Sequence, residues 1–149
     1  MLKPDIVLHN LKASSKKHAL QRISENIAAT LNTDDRIVME QLFEREKLGS
    51  TGMGHGVAIP HARLRSIDTV FIAVVTLEES IDFDAIDEKP VDILVTLLAP
   101  QDAGADHLQA LASTSRILRD KTFCTKLRGA ENEDATLSLL LNYKEAKAA

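Results

Sequence analysis

Val91-Asp92-Ile93-Leu94-Val95-Thr96-Leu97-Leu98 is the stretch on which the fold turns. It is a nearly continuous apolar run, rich in β-branched residues, and Pro100 closes it. Runs of this kind suit a central strand covered on both faces. Val70-Phe71-Ile72-Ala73-Val74-Val75-Thr76-Leu77 has the same character. Between the two, Ile81-Asp82-Phe83 reads as a small edge strand, and Ile6 to Leu11 as a short first strand. Val57 to Arg63 reads as a further extended segment. Within it Ile59 precedes Pro60, which drives Ile59 to β or polyproline geometry.

The remaining segments read as helices. Ser14 or Ser15 can cap one that carries Leu20, Ile23, Ile27 and Leu31 at helical spacing. Asn32-Thr33-Asp34-Asp35 is a break and a new cap. The helix after it runs to about Leu48 and is expected to bury Ile37, Val38, Leu42 and Phe43. Gly49 stops it, as glycine beyond a helix end does. After the second apolar run, Asp102 or Asp106 can cap a helix whose inner face would be Leu108, Leu111, Ala112, Ser115 and Leu118. Asp120 can cap another, carrying Phe123 and Leu127 and ending at Gly129. Asn132 can cap a last one, carrying Leu137, Leu140 and Leu141, with a fraying tail after Tyr143. The expected architecture is α/β (α+β): a mixed sheet of about five strands with helices on both faces. Residues 1–149 are expected to form a single domain.

Composition narrows the function classes. The chain has 149 residues, 44% hydrophobic, with 3% aromatics and no Trp, so aliphatic side chains must fill the core. The formal net charge of −4 argues against a nucleic-acid binder that needs a basic surface. One cysteine, Cys124, allows no intramolecular disulfide and suits a reducing compartment. The first residues have no apolar signal-peptide core, and the longest apolar run contains Asp92 and is too short for a bilayer. A cytoplasmic protein without membrane insertion is expected.

Chemistry concentrates in one place. Four of the six glycines fall within Gly49-Ser50-Thr51-Gly52-Met53-Gly54-His55-Gly56, which leads into Val57-Ala58-Ile59-Pro60-His61. Closely spaced glycines expose N–H donors that suit an anion such as phosphate, and a histidine arrives at the end of the loop. The plainer alternative is a tight turn feeding a strand. The loop is not a P-loop: His55-Gly56 stands where Lys-Ser/Thr would be needed, and a helix precedes it. Histidine or cysteine pairs at metal-ligand spacing are missing, so no metal is expected. Arg45 can fork onto phosphate oxygens, or be a solvated helix charge. His107 opens a helix whose N-terminus favours an anion, or is part of an ordinary polar first turn.

The segment from Arg45-Glu46-Lys47-Leu48-Gly49 through Ile59-Pro60-His61 spans 17 residues. It resembles the signature of the enzyme IIA domains of the phosphoenolpyruvate-dependent phosphotransferase system. More narrowly, it resembles the fructose/mannitol class and its nitrogen-related regulatory branch. The resemblance implies that His61 accepts a phosphoryl group, that His107 donates a hydrogen bond to it, and that Arg45 stabilises it. Ser50, Thr51, Gly52, Gly54 and Gly56 are expected to cradle that group. The implied donor is a small histidine-containing phosphocarrier protein, and no cofactor is required. In the nitrogen-related branch the implied targets are regulatory proteins of nitrogen, potassium or stress physiology. Two alternatives stand beside this. The protein could pass the phosphoryl group to a separate fructose- or mannitol-type sugar permease, or be a non-catalytic module that binds an anion or a protein.

Overall fold

The computed structural model describes residues 2–144. The chain runs β1 (Ile6–Leu11), α1 (Lys16–Leu31), α2 (Asp35–Lys47), β2 (Gly52–Gly54), β3 (Val57–Ala58), β4 (His61–Leu64), β5 (Phe71–Ile81), β6 (Val91–Pro100), α3 (Ala105–Leu118), α4 (Lys121–Arg128) and α5 (Glu133–Leu141). The sheet order is β1-β5-β6-β3-β2, with β4 also on β6. β1 is parallel to β5, β5 antiparallel to β6, and β3 and β4 both parallel to β6. β3 faces Ile93 and Leu94, and β4 faces Leu97 to Pro100. The two are therefore successive halves of one position beside β6, broken at Ile59-Pro60. Six strands fill five positions of a mixed sheet, with the two long apolar runs as β5 and β6.

Each central strand feeds two cores, because alternate side chains leave opposite faces. Ala73, Val75, Leu94 and Leu98 pack with Leu20, Ile23, Ile27, Val38 and Leu42 of α1 and α2. Val74, Ile93, Val95 and Leu97 pack with Ile117, Phe123, Leu127 and Leu140 of α3, α4 and α5. This double burial is why the runs at 70–77 and 91–98 show no apolar–polar alternation.

The caps sit where the sequence puts them. Side chains of Ser15, Asp34, Asp120 and Asn132 accept N–H bonds at the starts of α1, α2, α4 and α5. Five expectations need correction. Gly104, with no side-chain cap bond, precedes α3, so neither Asp102 nor Asp106 caps it. Ile37 is 49% exposed on the outer side of α2. Ile81 is the last residue of β5, opposite Val91, so no separate edge strand forms at 81–83. The buried residues of α3 are His107, Thr114, Ile117 and Leu118, while Leu108 is 67% exposed. Leu141 is likewise exposed at the end of α5, where Thr136 and Leu140 face inward. The expected fraying tail falls largely on 145–149, outside the described residues.

Candidate functional site

The break between β3 and β4 builds the site. Proline carries no N–H, so Pro60 cannot continue a ladder as a donor. Its carbonyl still accepts the Leu97 N–H at 2.9 Å, and pairing resumes at His61 opposite Leu97. His61 is half-buried there. Its Nδ1 lies 2.8 Å from the Ile59 carbonyl oxygen. A carbonyl can only accept, so Nδ1 carries the proton. On the other side of the ring, Arg45 Nε donates to Nε2 at 3.2 Å. A guanidinium can only donate, so Nε2 presents its lone pair. Both partners require the same neutral tautomer. Burial, chiefly, lowers the His61 pKa below its ordinary value, and the Arg45 charge adds to this. The Ile59 carbonyl and Glu46 pull the other way. The net direction keeps the imidazole neutral and nucleophilic near pH 7.

Arg45 belongs to the last turn of α2. Besides Nε on His61, its Nη1 donates to the Gly49 carbonyl at 2.8 Å. Gly49 has φ 149°, a conformation natural to glycine. The glycine that ends the helix thus also supplies the acceptor that aims the arginine. The guanidinium reaches across to the imidazole rather than out along the helix surface.

His107 arrives from the opposite side, in the first turn of α3, with 7% exposure. Its ring centroid is 5.9 Å from that of His61, with the planes tilted by 50°. Its Nδ1 is buried without a hydrogen-bond partner. Burial lowers its pKa, and the nearby His61 and Arg63 lower it further. Arg63 is a residue that the sequence reading missed. Its Nη1 donates to the carbonyls of Gln101 at 2.9 Å and Ala103 at 2.6 Å. It thereby ties the connection before α3 to the strand that carries His61. The available signal was period-two spacing, which puts residues 61 and 63 on one face of a strand.

The glycine loop comes to the His61 site at its start, where the Gly49 carbonyl meets Arg45 and the Thr51 carbonyl meets the Ile59 N–H. The Thr51 N–H points to the Glu46 carboxylate, the Gly52 N–H to Ser50 Oγ at 3.1 Å, and the His55 N–H to Asp87 at 3.0 Å. The Ser50 hydroxyl donates to the Phe83 carbonyl at 2.7 Å. Gly52 and Gly54 pair with β3. The Gly56 carbonyl accepts from Asp92 and Ile93, five and four residues before Leu97 on β6. That separates Gly56 from His61 by roughly 15 Å along the strand. Of the expected cradle of Ser50, Thr51, Gly52, Gly54 and Gly56, the Thr51 and Gly52 N–H groups are thus taken within the loop, and Gly56 lies away from His61. His55 sits at the tip of the β2–β3 hairpin with φ 57°, its carbonyl held by Arg128 Nη2 at 3.0 Å.

Residues 1–143 match the family described as "Phosphoenolpyruvate-dependent sugar phosphotransferase system, EIIA 2". The chain belongs to this family. EIIA 2 proteins are components of a phosphotransferase system. Among relatives, a "Nitrogen regulatory protein" of Bradyrhizobium diazoefficiens is 44% identical, over 94% of this chain and 92% of its own length. A "PTS system fructose-specific EIIA component" of Haloferax volcanii is 34% identical, over 89% of this chain and 86% of its own. The crystal structure of the nitrogen regulatory protein IIA-Ntr from Neisseria meningitidis superposes with a TM-score of 0.84 at 33% identity, covering 91% and 92% of the two chains. Among the described residues of this EIIA 2 chain, no helix is long and apolar enough to cross a membrane.

Proposed function

We propose that His61 accepts a phosphoryl group on Nε2 from a histidine-containing phosphocarrier protein, and that the phosphorylation state governs binding to regulatory proteins. The observation that carries this is the fixed tautomer. Nδ1–H is committed to the Ile59 carbonyl, and the Nε2 lone pair faces Arg45, with the His107 ring 5.9 Å away.

The chemistry follows from that arrangement. The Nε2 lone pair forms a bond to phosphorus as the phosphorus–nitrogen bond to the donor's imidazole breaks. That electron pair stays on the donor nitrogen, and His61 keeps its Nδ1 proton. Such transfer needs in-line placement and stabilisation of oxygen charge more than covalent assistance. Arg45 gives up its bond to Nε2 and donates to the phosphoryl oxygens, a charge-assisted contact. His107 supplies a further donor from a partly desolvated position, where its unpaired ring nitrogen otherwise costs free energy.

Similarity to nitrogen regulatory proteins over nearly the whole chain supports regulatory targets as the readers of this state, in nitrogen physiology or, as the family resemblance implies, in potassium or stress physiology. The fructose-specific relative supports a second reading, in which the acceptor is a separate sugar permease component. The experiment incubates the protein with phosphoenolpyruvate, the system's first enzyme and the phosphocarrier, and looks for an acid-labile adduct. His61→Ala is expected to abolish labelling and His55→Ala to retain it. Labelled His61→Ala beside unlabelled His55→Ala overturns the assignment. Absence of any adduct on the native protein leaves a binding module.

A further inference from the structure

Directly after Arg45 on α2, Glu46 turns the other way, into the protein. Its side chain is 3% exposed and lies 2.9 Å from Lys16 Nζ. The carboxylate also accepts the Thr51 N–H at 3.1 Å and the Thr51 hydroxyl. From Thr51 the connection continues without a gap. The Thr51 carbonyl accepts the Ile59 N–H at 3.1 Å, and the Ile59 carbonyl faces His61 Nδ1 at 2.8 Å.

Stability alone gives little reason for these residue types. A buried ion pair gains little over an apolar pair of similar volume, because both charges lose their water. Lys16 is moreover the first residue of α1, where the helix dipole disfavours a cation. Its surroundings make up for this with Asp84 at 3.8 Å and the Phe83 ring at 4.5 Å. A carboxylate offers what an apolar residue cannot: two oxygens that take both Thr51 donors and the ammonium together. The turn at 49–51 is thereby held against the end of α2. The same turn supplies the Gly49 carbonyl that aims Arg45.

We infer that Glu46, held by Lys16, is a positioning residue for phosphoryl acceptance: through Thr51 and Ile59 it fixes the His61 imidazole with its proton on Nδ1 and its lone pair on Nε2. Its effect on transfer rests on the acceptor role proposed for His61, whereas its effect on the ring does not.

The test reads both. Nitrogen NMR of the His61 ring gives the tautomer, labelling by the phosphocarrier gives the rate, and thermal melting gives the fold. Glu46→Ala is expected to mix the two tautomers and slow labelling by roughly tenfold, at an unchanged half-saturating donor concentration. Thr51→Val keeps the side-chain shape and removes the hydroxyl, so it covers the case in which Glu46→Ala does not fold. It is expected to move tautomer and rate in the same direction, by less. The Lys16→Met/Glu46→Gln pair leaves an amide oxygen for Thr51 and no cation facing the amide NH2. It is expected to restore the Nδ1–H tautomer and most of the rate. Folded Glu46→Ala and Thr51→Val proteins with native tautomer refute the inference, whatever their melting temperatures. So does a folded double variant that fails to recover it. If the native protein takes no label, the acceptor reading fails while the tautomer comparison still decides the role of Glu46.

Discussion

At the scale of single residues, the candidate site is three side chains delivered by three element ends. Arg45 closes α2, His61 opens β4 and His107 sits in the first turn of α3. Removing the guanidinium costs one charge-assisted contact, typically about 1.5–3 kcal/mol, so Arg45→Ala is expected to slow labelling by roughly ten- to a hundred-fold. Arg45→Lys recovers only part, since an ammonium cannot bond the ring and the Gly49 carbonyl in one rigid fork. Native-rate labelling of folded Arg45→Ala refutes the contact's role. His107→Gln keeps an N–H donor and is expected to label faster than His107→Ala; equal rates argue that His107 only fills space. As candidates these three residues were legible because each combines a special side chain with an element boundary. Arg63 and Glu46 were not. An arginine whose acceptors lie 38 and 40 residues away carries no local mark of them. A glutamate in a charged helix turn looks solvated until α1 closes over it.

At the scale of elements, caps and central strands were legible because their signals are local. The inner face of α3 was legible only in part. Leucine spacing selects Leu108, which is exposed, whereas Leu118 of the same expected face is buried; the inward side presents His107 and Thr114 together with Ile117 and Leu118. Two polar residues interrupt the apolar stripe, so hydrophobic periodicity alone places the helix only in part. The glycine cluster signals exposed donors, yet the Thr51, Gly52 and His55 N–H groups are taken by the side chains of Glu46, Ser50 and Asp87. Its glycines answer to space as well. A Cβ at Gly52 would sit 2.8 Å from both Cα and Cβ of Ala85. Backbone cannot step aside cheaply, so Gly52→Ala is expected to destabilise by about 1–3 kcal/mol. In a chain of this size that lowers the melting temperature by roughly 2–4 °C per kcal/mol. An unchanged melting curve would show that the β5–β6 connection yields to the added methyl.

At the scale of the molecule, two helical layers clamp one sheet, and both histidines are drawn into its partly desolvated end. That placement links function to stability. The folded pKa values of His61 and His107 both lie below the ordinary 6.5, with burial the largest cause in each. Just below pH 6.5 the unfolded chain therefore binds more protons than the folded one. Stability must rise with pH across that window: it is fully present above the ordinary value and lost as pH falls through the folded values. The lowered carboxyls of Asp34 and Asp87 act in the same sense, but only below their ordinary 3.8. Between about pH 7 and pH 5 the slope is thus assigned to the imidazoles. Denaturant melts over that range are expected to show falling stability for the native protein. A His61→Gln/His107→Gln variant should give a flatter profile. Labelling should decline on the same acid limb, because protonation removes the Nε2 lone pair. A native stability that holds level to pH 5, or a variant with an equally steep slope, would mean that the two rings are better solvated than their burial implies.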